Sequence, residues 1–248
     1  MGKTDNVYIK KARKKRFIKK LISILIIIIV AFGIFLWKTT LFNLKNVEIK
    51  GDAFITKTYL QDEMETYMGE SVVFLNKDDI MKKLKYNPYV KNISIKRKFP
   101  STLVLEVEEA KGLYYIYDGN NFNIISSDLT ILEKANEIPD RQLIEIKGKD
   151  INGKDLGEKI DQNDRVSKML DEVYKECQVM KNNNENFNIT ALDIGSLSSI
   201  KVYLGNIEVI IGSDENFRTK MSDAVNIYKT GLVKQYINVS FDGTPDFK

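Results

Sequence analysis

Two glutamates stand where acid–base chemistry would be simplest to build. Glu106 and Glu108 alternate with apolar residues in a predicted strand, so their carboxylates project from the same face. Two neighbouring carboxylates can serve as general acid and general base when their surroundings separate their pKa values. The lysine-rich strand that precedes them favours the simpler interpretation, in which they belong to a solvated strand face.

Other residues that could carry chemistry are few. The chain of 248 residues contains no histidine and one cysteine, Cys177. Histidine is the commonest general base and metal ligand, and one cysteine forms neither an internal disulfide nor a thiolate cluster. Cys177 lies on the apolar stripe of a predicted helix, which indicates a core thiol. We therefore predict no catalytic residue, no cofactor, no metal site and no small-molecule substrate.

Positive charge is concentrated at the beginning of the chain. Nine of the 38 Lys and Arg residues fall in the first twenty positions, which carry a net charge of +8, while the remaining 228 residues carry −4. The basic character is therefore local, and it does not indicate binding to nucleic acid.

An uncharged apolar run follows, from Leu21 to Trp37. As a helix, these seventeen residues would extend about 25 Å, close to the thickness of the hydrocarbon core of a membrane. We predict a transmembrane helix over 21–37, with Trp37 at the headgroup boundary. A cleaved signal peptide and a buried core helix are the alternatives. The first is disfavoured because the run lacks a small-x-small cleavage site, and the second because the run is apolar all round.

The charge beside this run predicts its orientation. By the positive-inside rule, residues 1–20 form a cytoplasmic tail, and everything after the helix lies outside the cytoplasmic membrane. The residues predicted to set this topology are Lys14, Lys15, Arg16, Lys19 and Lys20.

The rest of the chain has the pattern of an α+β protein. Residues 44–109 predict the order β-α-α-β-β, which makes a compact two-layer unit with helices on one face of a sheet. A second unit begins near Lys111. It contains predicted strands at 114–117, 122–125, 143–146, 189–194, 200–204 and 207–211, and predicted helices around 166–177 and 217–228.

The last predicted strand, residues 236–241, is the most suggestive surface. A terminal strand that follows a helix often lies at the edge of a sheet, where unpaired N–H and C=O groups can accept a partner strand. Tyr236, Val239 and Phe241 would supply aromatic and branched side chains there. Ordinary core and edge packing is the alternative interpretation.

Several stretches together resemble the FtsQ/DivIB family of bacterial cell-division proteins. They are VEIKGDAFITKTYLQDEM, LKYNPYVKNISIKRKFPSTLVLEVEE, LDIGSLSSIKVYLGNIEVIIGSDENFRTKM and YINVSFDGTPDF, in family order behind one anchor. The second stretch matches the family pattern almost throughout, with Tyr89 where tryptophan is frequent.

The resemblance implies a POTRA domain over 42–110 and a β domain over 111–248. It implies a non-enzymatic septal scaffold that binds FtsL-type and FtsB/DivIC-type partners by adding a partner strand to the last strand of the β domain. The matching positions are Tyr236, Val239, Phe241 and Gly243. A cell-surface module that binds wall polymer or a small ligand is the alternative function, and an anchored hydrolase is disfavoured by the missing histidine and nucleophile.

Overall fold

A computed structural model describes residues 4–183, 188–241 and 243–248. The first helix, α1, runs Thr4–Lys38, so the basic segment is helical together with the apolar run. Lysine and arginine are good helix formers, which explains why the helix does not begin at Leu21. The segment Arg16–Phe35 is long and apolar enough to cross a membrane, with a mean hydropathy of 2.6, and none of it is buried. A single-pass membrane protein is the class this helix indicates.

The residues predicted to set topology lie on this helix. Lys14, Arg16, Lys19 and Lys20 are exposed. The side chains of Lys15 and Trp37 lie outside the described part of the chain. Leu21 is exposed, as are the other large apolar side chains of the span that the structure describes.

The chain divides into two compact units. One contains Met1–Ala53, Lys57–Leu84 and Ile93–Val107, and the other contains Phe54–Thr56, Lys85–Asn92 and Glu108–Lys248.

The elements that follow α1 have the predicted β-α-α-β-β order. They are β1 (Asn46–Gly51), α2 (Lys57–Glu65), α3 (Lys77–Leu84), β2 (Val90–Lys98) and β3 (Thr102–Glu109). The three strands form a sheet in the order β1-β3-β2, with β1 parallel to β3. The residues buried on α2 are Leu60 and Met64, and those on α3 are Ile80 and Leu84, as helical spacing requires.

The part of the chain after β3 contains a nine-stranded sheet, in the order β12-β11-β10-β9-β8-β7-β4-β5-β6. Its strands are β4 (Tyr114–Tyr117), β5 (Phe122–Ile125), β6 (Ile131–Ala135), β7 (Ile144–Lys147), β8 (Ile189–Asp193), β9 (Ile200–Leu204), β10 (Ile207–Gly212), β11 (Tyr236–Asn238) and β12 (Asp246–Phe247).

Two helices connect two of the parallel strand pairs of this sheet. Helix α4 (Asp164–Asn182) joins β7 to β8, and α5 (Phe217–Lys229) joins β10 to β11. Parallel neighbours need such a crossover, because a tight turn cannot bring the chain back in the same direction. Both helices pack apolar stripes into one core with the strands.

Two strands differ from the sequence-based expectation. β6 was not predicted, and the strand predicted over 236–241 ends at Asn238, beyond which a further short strand, β12, forms the edge of the sheet. The mixed α/β architecture with a C-terminal strand at the edge is otherwise as predicted.

Candidate partner-binding edge

The edge of the large sheet is built outward from β10. Its alternate residues Ile207, Val209 and Ile211 are buried, while the residues between them are partly exposed. β11 lies parallel beside it, with Val209 opposite Ile237 in the register. Ile237 is completely buried, so the hydrophobic alternation fixes which face of β11 is turned into the core.

A side-chain turn ends β11. The Asn238 Oδ1 atom accepts hydrogen bonds from the Ser240 backbone N–H at 3.0 Å and from the Ser240 hydroxyl at 2.7 Å. Such a local turn competes with the regular ladder, and it stops the strand before Phe241. The Val239 N–H still donates to the Ile210 carbonyl at 3.0 Å.

A close backbone approach lies beside this turn. Gly212, the last residue of β10, has a φ of +74°, and a Cβ placed there would lie 2.8 Å from the Cβ of Ser240. Glycine is therefore required at position 212, because other residues rarely adopt this positive φ and because a side chain would collide with Ser240.

The two-residue strand β12 covers the outer side of β11. It runs antiparallel, with Phe247 opposite Ile237 and Asp246 opposite Asn238. The Lys248 N–H donates to the Tyr236 carbonyl at 3.1 Å, and the Lys248 carbonyl accepts from the N–H groups of Lys234, Gln235 and Tyr236 at 2.9, 2.6 and 3.4 Å. The outer side of β11 is thus paired within the chain.

A side-chain contact reinforces this pairing. The Tyr236 hydroxyl donates to the Asp246 Oδ2 atom at 2.9 Å. The hydrogen bond to the Asp246 carboxylate raises the pKa of the Tyr236 hydroxyl above its ordinary value. Tyr236 is therefore occupied in holding β12.

The alternation of hydrogen-bonded and non-hydrogen-bonded pairs in antiparallel strands identifies the backbone N–H and C=O groups of β12 that are not bonded to β11. Tyr236 and Lys248 form a hydrogen-bonded pair, so the next pair, Ile237 with Phe247, is a non-hydrogen-bonded one. The N–H and C=O of Phe247 consequently point away from β11. Pro245, immediately before β12, has no N–H to offer.

The four positions predicted for partner binding have different surroundings. Val239 is 4% exposed and belongs to the hydrophobic core, whereas Phe241 is 47% exposed. Gly243 has a φ of +142° and lies 3.8 Å, measured from an ideal Cβ, from the Phe241 ring. Sequence reasoning missed Phe247, which is 42% exposed beside the free backbone groups. A two-residue strand is too short to show a period.

The two glutamates considered for acid–base chemistry are each paired with neighbouring side chains. The Lys96 ammonium lies 2.6 Å from Glu106, and Lys91 lies 2.8 Å from Glu108. The hydrogen bond from Lys96 lowers the pKa of Glu106, and hydrogen bonds from Asn92 and Lys91 lower that of Glu108. Both carboxylates are therefore ionised at neutral pH, and neither is poised as a general acid.

Cys177 and the Ser240 hydroxyl, which could react by residue type, are also held by the structure. Cys177 packs against the core, and burial raises the pKa of its thiol to about 12. The Ser240 hydroxyl is engaged with Asn238. Among the side chains that the structure describes, no group of three or more His, Cys, Asp or Glu residues is placed to hold a metal ion.

Comparison with known proteins gives consistent results. Residues 42–110 match the FtsQ-type POTRA domain. The chain is 32% identical to the cell division protein DivIB of Clostridium botulinum strain Hall, over 97% of this chain and 94% of that protein. It is 29% identical to DivIB of Clostridium acetobutylicum, over 98% of this chain and 97% of that protein.

A more distant similarity extends to the proteins named FtsQ. The cell division protein FtsQ of Rickettsia bellii is 26% identical over 45% of this chain and 41% of that protein. The similarity to DivIB, by contrast, covers the anchor, the POTRA domain and the large sheet together. The chain therefore belongs to the FtsQ/DivIB family of cell division proteins.

Proposed function

We propose that this protein is a membrane-anchored, non-enzymatic scaffold of the division machinery. It binds FtsL-type and FtsB/DivIC-type partners outside the cytoplasmic membrane and helps to coordinate septal wall synthesis. In this proposal residues 1–20 are the cytoplasmic tail, 21–37 the membrane span, 42–110 the POTRA domain, and 111–248 the β domain that carries the partner site.

A single feature carries the proposal, namely the outward-facing backbone of Phe247. An extended partner segment can pair with this N–H and C=O and so add a strand to the sheet. The side chains of Phe241 and Phe247, 47% and 42% exposed, offer apolar contact to such a segment. Aromatic side chains are enriched at protein interfaces, where they provide much of the contact energy.

We place the added partner strand beside β12 and not beside β11, one strand away from the position that the resemblance implies. The resemblance points to residues 236–241, but β12 occupies the outer side of Ile237 and Asn238. We place the partner on the outer edge of β12, because this position extends the sheet without displacing the Lys248 hydrogen bonds. Val239 then supports the site from the core, and Tyr236 supports it by holding Asp246.

Co-purification of the full chain with a coiled-coil membrane partner of the DivIC type tests this proposal. Phe247→Pro removes the outward N–H while leaving the inward bonds of Lys248 in place, and proline is tolerated at a strand edge that faces solvent. Phe247→Ala keeps the N–H and removes the ring. We expect loss of co-purification with proline and weakened co-purification with alanine.

A matched control comes from another exposed aromatic residue. Phe54 is 96% exposed and precedes helix α2, so Phe54→Ala removes an equivalent ring away from the strand edge. It should leave co-purification unchanged. Undiminished co-purification of the Phe247→Pro variant would contradict strand addition at β12.

The orientation is tested separately by protease treatment of intact protoplasts. The exposed lysines of α1 support an inside position for the tail, by the positive-inside rule. We expect residues beyond 40 to be digested and the tail to be protected. The reverse pattern would overturn the proposed topology.

A further inference from the structure

Four apolar side chains cluster where the chain leaves the membrane helix. We call Leu41, Phe42, Phe74 and Phe99 the apolar foot. Leu41, Phe74 and Phe99 are 53%, 58% and 59% exposed, which is unusual for three large apolar residues in one small region. The rings of Phe42 and Phe99 meet edge to face, with centroids 6.3 Å apart.

The connection between α1 and the foot is short and hydrogen-bonded. The Thr39 N–H donates to the Phe35 carbonyl at 3.0 Å, which continues the helical pattern past Lys38. The Thr39 hydroxyl then caps a 3-10 turn, Thr40–Phe42, by accepting from the Leu41 N–H. Leu41 lies six residues beyond Phe35, where the apolar span ends. At ~1.5–2 Å per residue this is about 10 Å, within the reach of the headgroup region.

Tertiary contacts bring the other two foot residues to this position. The Ser101 carbonyl accepts from the Lys45 N–H at 2.9 Å and from the Asn46 N–H at 3.3 Å, which ties the turn after β2 to the segment after α1. Phe99 lies in this turn, and its ring reaches Phe42. The position of Phe99 beside Phe42 therefore depends on the fold and not on its place in the sequence.

Phe74 is held beside the same turn. The Arg97 Nε donates to the Val72 carbonyl at 2.7 Å, and the Arg97 Nη2 donates to the Leu75 carbonyl at 2.6 Å. These two carbonyls flank Phe74 on either side. The Val72 N–H donates to the Phe42 carbonyl at 2.8 Å, which completes the link back to the foot.

We propose that the apolar foot inserts into the interfacial zone of the same bilayer that α1 crosses. Aromatic side chains favour this zone, and an apolar surface buries itself about 5–10 Å into it. The partner is lipid because the foot continues directly from the membrane span. Beside the foot, Lys45 and Glu70 are exposed and have opposite sign. Lys98, next to Phe99, is paired with Glu48 at 2.6 Å. Attraction to anionic headgroups is therefore not required. Neutral phosphatidylcholine is therefore sufficient.

Tryptophan fluorescence of the full chain in phosphatidylcholine vesicles tests this inference. Trp37 is the single tryptophan of the sequence, so Trp37→Phe gives a parent protein without tryptophan fluorescence, into which one probe can be introduced. Phe99→Trp and Phe74→Trp, made separately, place a probe in the foot. Asp52→Trp is the control, because Asp52 follows the opposite end of β1, six residues or about 20 Å from Asn46. Acyl chains brominated near the headgroup serve as the quencher.

We expect both foot probes to emit at shorter wavelength than the control and to be quenched at least about twofold more strongly, as an interfacial depth of ~5–10 Å requires. Agreement between the two probes would show that the result does not come from a local distortion caused by one substitution. Far-UV circular dichroism checks that each variant keeps its secondary structure. Foot probes with the emission and quenching of the Asp52→Trp control would overturn the inference. Quenching that appears only when a protein partner is added would do the same, since it would show that a protein brings the foot to lipid. The result does not depend on the proposed strand addition at β12.

Discussion

Tyr236 and Lys248 face each other across the last two strands, and the Lys248 N–H donates to the Tyr236 carbonyl at 3.1 Å. This pair sets the alternation that turns the Phe247 N–H and C=O outward. β12 is a very short edge strand preceded by Pro245, and both features limit unwanted pairing between sheet edges. Under the proposed function, such an edge suits a partner segment that fits its short length.

Charge at Val239 is expected to destabilise the core of the large sheet, so it does not test the partner site by itself. Val239 is 4% exposed in the core, so Val239→Asp buries a carboxylate without a partner and should cost about 3 kcal/mol or more. Phe241→Asp, at a half-exposed position two residues on, should stay within about 0.5 kcal/mol of the parent. Urea unfolding of both variants measures the difference. Equal stabilities would show that Val239 is not a core residue.

Proline at 246 is expected to release β12 from the sheet. Asp246 is opposite Asn238 in a hydrogen-bonded position, so Asp246→Pro removes an inward donor. Because both residues of β12 are exposed, the loss in stability should be only about 1 kcal/mol. Amide exchange at Tyr236 and Lys248 should become faster, whereas Phe247→Ala should leave it slow. Unchanged exchange in the proline variant would show that β12 does not depend on this bond.

The thiol of Cys177 is expected to react slowly at pH 8. Burial raises its pKa to about 12, so the reactive thiolate should be roughly a thousandfold scarcer than at an exposed cysteine. A thiol reagent with an optical signal measures the rate in the native chain. The control is Ser198→Cys, at an exposed loop position, in a Cys177→Ala background. Similar rates for the two cysteines would contradict burial of Cys177.

Tyr89 is expected to make stability fall at alkaline pH. Its hydroxyl donates to the Glu133 Oε2 atom at 2.8 Å and accepts from the Arg141 Nη2 atom at 2.9 Å. Burial raises the pKa of Tyr89 to about 12. The folded state therefore keeps the phenol proton after the unfolded state has lost it, so this contribution is complete below about pH 10 and disappears as the pH rises towards 12.

The measurement compares the parent with Tyr89→Phe. Loss of the hydrogen bonds should make the variant less stable at pH 7 by about 1–2 kcal/mol. That difference should shrink on the order of 2 kcal/mol between about pH 10 and 12, because phenylalanine has no proton to lose. Urea unfolding across this range measures it, and a difference that stays constant would contradict a raised pKa for Tyr89.

Elements with a strong hydrophobic period could be predicted from the sequence. In β9 and β10 the apolar residues alternate, and the Gly205-Asn206 turn between them indicates the hairpin that forms. In α4 the stripe containing Val166, Leu170 and Val173 is buried as predicted. In a long segment with a clear hydrophobic period, the local sequence alone indicates which face is buried in the core.

Elements that depend on distant contacts could not be predicted. β6 has the sequence ILEKA, whose leucine, glutamate, lysine and alanine are better helix formers, and pairing with β5 overrides that preference. β12 is defined by its bonds to Tyr236 and not by its own residues. The edge of the sheet was therefore predicted one strand away from the edge that the structure shows.

Amide hydrogen exchange at Phe247 shows whether a partner strand pairs with β12. In the free protein this N–H faces solvent beyond the last strand, so it should exchange quickly. When a DivIC-type partner binds the full chain, we expect exchange at Phe247 to slow by at least about tenfold, a factor that corresponds to about 1.4 kcal/mol of added protection. A partner that binds tightly while Phe247 continues to exchange at its free rate would contradict strand addition at this edge.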